Sequence, residues 1–194
     1  TSRFFASFQM FGHPTYRCAS KFDNPSQLAY VKERFIGEGI RCIEDVMNYT
    51  KLNDKSGFLI GVDFEKAFDT LDHSYLFKVL ELFNFGQVFL SHIKTLYFNI
   101  ESSVFNGGHS TGYFPVRRGV RQGDPLSPYL FILSIEPLLM AIRENNNIHG
   151  FQINETCLKV KAYADDITAM VSDNQSIEKL IAQVNNFSKI SGLY

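Results

Sequence analysis

The chain of 194 residues is long enough to bury one sizeable core and too short for a large multidomain protein. Hydrophobic residues make up 45% of it and charged residues 20%, which excludes intrinsic disorder, collagen and a simple coiled coil. Because 19 basic residues nearly balance 20 acidic ones, for a formal net charge of −1, any polyanionic partner has to be bound by a local basic patch.

The three cysteines, Cys18, Cys42 and Cys157, are odd in number and widely separated, so the sequence predicts neither a disulfide framework nor a zinc site. This usage favours a reducing, intracellular setting and does not distinguish nucleus from cytoplasm. Since the chain begins with Thr1 and ends at Tyr194, just after a predicted helix, we expect it to be a piece of a longer protein.

The first third of the chain contains one helix and one strand by pattern. Residues 1–24 mix phenylalanines with Gly, His, Pro and Asn without a period of 2 or 3.6, so we predict no regular element and assign no role there. Apolar residues at helical spacing predict an amphipathic helix over 39–49. The short apolar run 58–62, bounded by Gly57 and Asp63, predicts a strand buried on both faces.

Two helices and a hairpin follow. Asp72 is a predicted N-cap for the first helix, and the second runs through residues 88–96. Strands predicted at 101–105 and 113–116 flank Asn106-Gly107-Gly108, whose residues accept the positive φ angles of a tight turn.

The most apolar stretch, residues 125–142, has the length of a membrane span but contains Ser127, Glu136 and three prolines. We therefore predict a buried helix and no membrane partner. Ser127 supplies an N-cap and Pro128 a first-turn proline for this helix, which ends near Asn145.

A second hairpin and a last helix complete the predicted elements. Strands at 159–163 and 167–171 flank Ala164-Asp165-Asp166, and an amphipathic helix over 177–190 is stopped by Gly192. This order predicts an α+β fold with an antiparallel sheet and helices packed on one face.

Carboxylates stand at the tips of two predicted β elements: Asp63 ends a strand, and Asp165-Asp166 occupy a turn. Neighbouring strands lie about 4.8 Å apart, so adjacent strand ends could share two divalent cations about 3.5–4 Å apart. Hard oxygen ligands indicate Mg²⁺, which takes one or two carboxylates plus substrate phosphates. The alternative for Asp165-Asp166 is an ordinary acidic turn. Asp63 would be costly to desolvate beside an apolar run without a metal or a base.

Three motifs then resemble a known family. They read Val-Asp-Phe-Glu-Lys-Ala-Phe-Asp over 62–69, Gly-Val-Arg-Gln-Gly-Asp-Pro-Leu-Ser-Pro over 119–128 and Ala-Tyr-Ala-Asp-Asp over 162–166. Their order and spacing resemble the palm motifs of reverse transcriptases, in particular those of non-long-terminal-repeat, LINE-type retrotransposons. The resemblance covers roughly residues 25–194. It implies a palm with partial fingers, truncated at its C-terminal end and preceded by an atypical segment, residues 1–24.

The resemblance implies an RNA-directed DNA polymerase that extends a primer 3′-hydroxyl with deoxynucleoside triphosphates (dNTPs). An RNA template and a DNA primer are then its partners, and two Mg²⁺ ions its cofactor. Asp63 and Asp165 would hold the ions, with Asp166 in a supporting role. A thumb and an endonuclease domain are expected elsewhere in a longer polyprotein.

Aromatic residues near Asp63 are implied to face the nucleotide. Phe68 lies where the family places a steric gate against a ribose 2′-hydroxyl, and Phe64 is also expected at the dNTP. Phe68 and Ala164 argue against RNA-dependent RNA polymerases, which usually carry a small or acidic residue and a glycine at these positions. The alternative for Phe68 is a plain core residue.

The loop from residue 117 to 125 combines arginines with glycines, so that its backbone can approach phosphates while guanidiniums pair with them. The resemblance puts Gln122 and Gly123 against the nascent base pair and incoming nucleotide. The alternative is a solvated basic turn. The loop arginines expected to bind nucleic acid are Arg117, Arg118 and Arg121.

Residues 32–38 resemble the fingers segment whose arginine grips the triphosphate, which makes Arg34 a candidate. Glu33 departs from the glycine that commonly precedes this arginine in the family.

Three other interpretations stay open from the sequence. One is an inactive retrotransposon remnant that at most binds nucleic acid, and another is a structural α+β module without such a role. A group II intron or telomerase-like polymerase would share the same chemistry.

Overall fold

The computed structural model describes residues 26–194, and the predictions made for residues 1–24 lie outside the described residues. The described residues form two compact units. The larger unit combines Ser26–Leu76 with Arg118–Tyr194, and the smaller one is Phe77–Arg117.

The larger unit contains a helix and a strand, a short helix, the start of another helix, a long helix, two hairpins and a final helix. In chain order these are α1 (Ile36–Leu52), β1 (Phe58–Val62), α2 (Ala67–Thr70), the first turn of α3 (His73–Leu82), α5 (Ser127–Glu144), β6 (Phe151–Ile153), β7 (Thr156–Leu158), β8 (Val160–Tyr163), β9 (Asp166–Val171) and α6 (Asn174–Ser191). The predicted helix at 39–49 and the predicted hairpin around the paired acids are thus confirmed. The β6–β7 hairpin was not predicted.

The main sheet is antiparallel, with the strand order β1-β9-β8. The prediction that the 58–62 strand is buried on both faces is wrong, since Phe58 and Leu59 are exposed to 39% and 43%. The reason is position: β1 is an edge strand, whereas β9 has a partner on each side. Consecutive residues of β9, Ala169 and Met170, are both fully buried, so both faces of this central strand are covered.

Packing around the sheet uses α1, the β6–β7 hairpin and the long helix. Val46 of α1, Phe151 of β6 and Met170 of β9 form one buried cluster. The predicted buried helix is confirmed as α5, most of whose side chains are inaccessible. Its start differs from the prediction: Leu126 is the N-cap, and the buried Ser127 hydroxyl has no hydrogen-bond partner within the described residues. No helix within 26–194 is long and apolar enough to cross a membrane.

The last helix ends beside the segment that follows β1. The Asp173 side chain caps α6 by accepting a hydrogen bond from the Ser176 amide at 2.7 Å, and Gly192 ends it with a φ of 79°. The Ser191 carbonyl oxygen then accepts from the Asp72 amide at 2.8 Å. Asp72 also caps α3, as predicted, because its carboxylate accepts from the Tyr75 amide at 3.0 Å.

The smaller unit contains the remainder of α3, α4 (Gln87–Leu96) and two short ladders, in which β2 (Glu101–Ser102) pairs with β5 (Phe114–Pro115) and β3 (Phe105–Asn106) with β4 (His109–Ser110). The predicted helix over 88–96 and the hairpin are confirmed, although the hairpin is split into these two ladders. Gly107 and Gly108 form its tip with φ angles of 57° and 84°.

Candidate active site

The register of the main sheet determines where the predicted acids meet. Val62 of β1 pairs with Ile167 of β9, so Asp63, one residue further, stands at the position opposite Asp166. On the other side of β9, Tyr163 pairs with Asp166, which leaves Ala164 and Asp165 as a two-residue turn. Directly opposed residues of antiparallel strands have Cα atoms about 4.5–5.5 Å apart. The fold therefore brings Asp63 and the Asp165-Asp166 pair to the same end of one sheet.

The three carboxylates are at least partly accessible to solvent. Asp63 and Asp166 are exposed and Asp165 is half-buried. No hydrogen bond or ion pair joins any of their side chains to another residue in the described part of the chain. Their oxygens therefore remain available as acceptors or ligands.

The donor set fits magnesium of the kind that substrates help to bind. Within residues 26–194, no group of three or more His, Cys, Asp or Glu side chains is arranged to hold a metal by itself. Mg²⁺ commonly binds through one or two carboxylates and completes its shell with water and substrate phosphates, so a full protein cage is not required. Asp63 and Asp165 supply such hard oxygen ligands, and neither forms an ion pair with a basic residue among the described ones.

A sharp turn after β1 sends the two aromatic candidates in different directions. Lys66 has a φ of 50° and starts the short helix α2. The Phe64 ring is buried, with its centroid 5.9 Å from that of Phe187 in α6. Phe68 is half-buried and stacks on Phe131 of α5, with ring centroids 4.5 Å apart and planes 15° apart. Part of the Phe68 ring thus faces solvent, whereas Phe64 can reach a ligand only through its backbone.

The arginine- and glycine-containing loop is fastened to α2. The Val120 amide donates to the Phe68 carbonyl at 2.6 Å, and the Gly119 amide donates to the Leu71 carbonyl at 2.7 Å. Gly119 has a φ of 86°, and a Cβ atom there would lie 2.7 Å from the Asp69 backbone. Gly119 thereby lets the loop approach the chain's own helix.

Gln122 and Gly123 lie on the exposed side of this loop. The Gln122 amide nitrogen donates to the Asp69 carboxylate, with distances of 3.2 and 3.4 Å to its two oxygens. Gly123 also has a φ of 86°, but among residues 26–194 no atom outside its chain neighbours lies within 4 Å of the position of a Cβ atom. Unlike Gly119, it borders open space.

The basic candidates occupy three settings. Arg118 and Arg121 are exposed in the larger unit, and Arg117 is the exposed last residue of the smaller unit. Arg34 is half-buried, and its Nη1 donates to the Gln27 carbonyl at 2.8 Å. The Arg34 guanidinium is therefore bonded to the segment that borders β8 of the sheet.

The family model described as reverse transcriptase (RNA-dependent DNA polymerase) matches residues 13–194. The chain belongs to the reverse transcriptase family. The resemblance inferred from the three motifs is thereby confirmed.

Several curated relatives of this reverse transcriptase domain come from transposons and retrotransposons. The transposon TX1 uncharacterized 149 kDa protein of Xenopus laevis is 34% identical over 182 residues, covering 88% of this chain and 14% of its own length. The Pol polyprotein from the type-2 retrotransposable element R2DM of Drosophila melanogaster is 25% identical, covering 88% and 16%. An R2 Pol polyprotein of Popillia japonica is 31% identical, covering 70% and 19%. The chain thus spans less than a fifth of each of these relatives.

Solved structures with the same fold include telomerases. Apo telomerase from Candida tropicalis, truncated from its C-terminal domain, matches with a TM-score of 0.63 and 14% identity over 93% of this chain and 37% of that one. Telomerase from Candida albicans in complex with a fragment of telomeric RNA also gives 0.63, with 12% identity over 93% and 32%. At these identities the comparison establishes the fold, which confirms the predicted α+β palm with partial fingers.

One residue at the acidic turn was missed by the sequence analysis. Gln27 is 1% exposed, and its side chain bonds to both backbone polar groups of Ala164, the residue before Asp165. The residues around it, Ser26 to Leu28, run beside β8 through a parallel bridge between Gln27 and Ala162. A short non-local pairing of this kind leaves no periodic pattern, and the sequence around Gln27 carries no other signal of it.

A cavity of about 170 Å³ lies beside Asp166, between α1 and the sheet. Its walls are mainly apolar, from residues such as Leu28, Ile36 and Ile40, and Lys161 contributes the basic group. Burial lowers the pKa of Lys161, an effect that Cys42 and Glu38 oppose. Burial also raises the pKa of the Cys42 thiol.

Proposed function

We propose that this reverse transcriptase domain performs RNA-directed DNA synthesis, joining the 3′-hydroxyl of a DNA primer to a dNTP on an RNA template. The observation that supports this most is the strand register, which sets Asp63 beside the Asp165-Asp166 turn, with no side-chain bond from the three carboxylates to the rest of residues 26–194. In this reaction the primer oxygen bonds to the α-phosphorus and pyrophosphate leaves. No side-chain nucleophile is required.

Asp63 and Asp165 would hold two Mg²⁺ ions, with Asp166 next to them. When bound, such ions lower the pKa of the primer hydroxyl and neutralise charge on the leaving pyrophosphate. The protein's part is to fix the carboxylates in place, and β9 does this by pairing on both sides. Positioning and charge neutralisation account for most of the acceleration in phosphoryl transfer.

The nucleotide would lie over α2 and the loop that is fastened to it. The stack on Phe131 holds the Phe68 ring in place, so the exposed part of the ring can exclude a ribose 2′-hydroxyl. Gln122 and Gly123 border the open side of the loop, where the base pair would sit. Phe64 would support this site from the core, through its backbone.

Basic side chains would supply most of the affinity for nucleic acid. Arg118 and Arg121 are exposed in the same unit as the carboxylates, and Arg117 precedes them in the chain. Arg34 would contact the triphosphate. Phosphate contacts release counterions. Each arginine changed to glutamine is therefore expected to weaken binding of an RNA–DNA hybrid and to reduce the slope of log K against log salt concentration by about one.

Primer extension tests the proposal directly. The purified protein is given an RNA template with an annealed DNA primer, dNTPs and Mg²⁺, and the rate of extension is compared with that of Asp165→Asn. We expect the variant to lose activity by about a thousandfold or more, because the substitution removes a charged ligand and preserves the side-chain volume. Circular dichroism and urea unfolding verify that the variant is folded.

Glu155→Gln is the matched control, since Glu155 is an exposed carboxylate in the turn between β6 and β7. It should extend primers as the unchanged protein does. Equal extension by the unchanged protein and Asp165→Asn would contradict the proposed role. Hybrid binding without any extension by the unchanged protein would instead favour an inactive remnant.

A further inference from the structure

The turn that carries Asp165 has a conformation that an alanine does not favour. Ala164 has a φ of 56°, in the left-handed region. An L-residue there costs about 1–2 kcal/mol relative to the right-handed region. The residue is also only 6% exposed, so its N–H and C=O cannot rely on water. Something in the structure has to stabilise this turn.

Gln27 satisfies both backbone groups of Ala164. Its Oε1 accepts from the Ala164 amide at 3.0 Å, and its Nε2 donates to the Ala164 carbonyl at 3.3 Å. The same Oε1 accepts from the Ala29 amide at 2.9 Å, which fixes the side-chain amide relative to its own segment of chain. A buried polar group left without a partner costs about 1–3 kcal/mol, so both the bond to the Ala164 amide and the bond to its carbonyl stabilise the turn.

The backbone of Gln27 is anchored independently of its side chain. The Leu28 amide donates to the Ala162 carbonyl at 2.9 Å, and the Ala162 amide donates to the Ser26 carbonyl at 2.8 Å. The Gln27 carbonyl accepts from Arg34 at 2.8 Å. The side chain therefore projects from a rigid support on the outer edge of β8.

We propose that Gln27 is a positioning residue that holds the Ala164-Asp165 turn, and thereby the Asp165 carboxylate, in its working geometry. The inference rests on the proposed polymerase function of Asp165. Asp165 follows Ala164 directly, so any rotation about the Ala164 backbone moves its carboxylate. Since a displacement of about 1 Å at a reacting centre can lower a rate about a hundredfold, loss of the clamp should be visible in catalysis.

The test compares Gln27→Met, which keeps the side-chain length and removes every hydrogen bond, with Gln27→Glu, which keeps the acceptor. Primer extension is measured per folded molecule as a function of Mg²⁺ concentration. We expect Gln27→Met to lower kcat by about a hundredfold and to raise the Mg²⁺ concentration for half-maximal rate. Gln152→Met makes the same chemical change at an exposed position in β6 and should alter neither quantity.

A second substitution separates positioning from a merely structural role. Glycine accepts a positive φ without strain. The double variant Gln27→Met/Ala164→Gly should therefore extend primers at least tenfold faster than Gln27→Met alone. The same glycine should restore little rate to Asp165→Asn. Failure of Ala164→Gly to rescue, together with an unchanged Mg²⁺ response in Gln27→Met, would overturn the proposal.

Hydrogen exchange gives a readout that does not depend on activity. The Ala164 amide should exchange at least tenfold faster in Gln27→Met than in the unchanged protein, whereas the amide of Ala169 in the middle of β9 should be unaffected. If the unchanged protein shows no polymerase activity, the proposed function fails, but this measurement still decides whether Gln27 holds the turn. Equal protection of Ala164 in both proteins would refute the clamp.

Discussion

The carbonyl oxygen of Phe68 accepts a hydrogen bond from the amide of Val120, with 2.6 Å between the two atoms. This bond joins the short helix after the first acidic motif to the arginine-containing loop of the second. The Gly119 amide adds a parallel bond to Leu71, and a ring nitrogen of His73 lies 2.8 Å from the Gly119 carbonyl. The proposed gate and the proposed nucleotide-binding loop therefore behave as one structural piece.

Gly119 and Gly123 allow this junction to be tested with a matched pair of substitutions. Both have a φ of 86°, but only at Gly119 would a Cβ atom meet backbone, 2.7 Å from Asp69. Gly123→Ala should lower the free energy of unfolding by about 1 kcal/mol, from backbone strain alone. Gly119→Ala should cost about 1–3 kcal/mol more, because the loop has to move away from α2.

Urea unfolding measures both values. The rate of primer extension should also fall more in Gly119→Ala than in Gly123→Ala, because displacement of the loop moves the residues next to Phe68. Equal losses of stability for the two alanine variants would mean that the close contact at Gly119 is not maintained in solution.

Phe68→Ala should relax the discrimination between deoxyribonucleotides and ribonucleotides. Removing the ring opens the space that a 2′-hydroxyl would need, and we expect the ratio of kcat/KM for dNTP over NTP to fall by about tenfold to a hundredfold. Because the ring is only half-buried on Phe131, the stability cost should be roughly 2 kcal/mol, about half that for a buried phenylalanine.

Phe187→Leu is the control for the loss of aromatic packing. Phe187 is buried and contacts Phe64 and Tyr75, whereas the ring of Phe68 stacks on Phe131. This variant should be less stable and should keep the dNTP/NTP ratio of the unchanged protein. A ratio that falls equally in both variants would point to general loosening of the core and not to a gate.

Local patterns in the sequence predicted the helices and hairpins well, because caps, glycines and apolar periodicity act over a few residues. Asp72 caps the start of α3 and Gly192 ends α6, as their residue types indicate. The predicted burial of β1 on both faces was wrong, since an apolar run does not reveal whether its strand lies at the centre or the edge of a sheet. At the start of α5, the Asp124 carboxylate accepts from the Leu126 amide at 2.9 Å and organises the turn in place of Ser127.

The candidate site was predictable only in part, for the same reason. The meeting of Asp63 with Asp165 follows from strand ends and from family resemblance. The contacts that fix their surroundings join residues far apart in the chain. Gln27 reaches Ala164 over 137 positions, and Gln122 reaches Asp69 over 53. Such pairings depend on the complete fold, and neither partner shows a local pattern that identifies the other.

The buried ion pair in α5 should make stability depend on pH in a diagnostic way. Glu136 is 1% exposed and bonds to Arg143 at 2.8 Å. Burial raises the pKa of Glu136 above its ordinary 4.5, although Arg143 and Arg34 oppose the shift. A carboxyl with a raised folded pKa binds its proton more tightly in the native state, so stability rises as pH falls through that pKa towards 4.5.

Arg143→Met should therefore cost about 3–5 kcal/mol at pH 7.5, because it leaves an uncompensated buried carboxylate. The loss should shrink at pH 5, where Glu136 can take up a proton. The double variant Glu136→Leu/Arg143→Met should regain most of the stability at pH 7.5. Lys94→Met, which removes the exposed pair with Glu81, is the control and should cost less than about 1 kcal/mol at either pH. A loss from Arg143→Met that is identical at both pH values would contradict this account.

The N-cap of α6 gives a pH dependence of opposite sign. The Ser176 amide, and then the contact of His149 Nδ1 at 2.8 Å, lower the pKa of Asp173 from 3.8 to about 2. A carboxyl with a depressed folded pKa contributes stability above its unfolded pKa and loses it as pH falls through the folded value. Asp173→Asn keeps an acceptor for the cap but carries no charge. Its deficit relative to the unchanged protein should therefore be full near pH 5 and should shrink between about pH 4 and pH 2.

Urea unfolding over this pH range measures the difference between the two proteins. Asp45→Asn, which makes the same change at an exposed position in α1, should show no comparable trend. Asp173→Ala should remain less stable than Asp173→Asn throughout, since it also removes the acceptor for the Ser176 amide. A deficit of Asp173→Asn that stays constant down to pH 2 would show that the charge of Asp173 does not stabilise the start of α6.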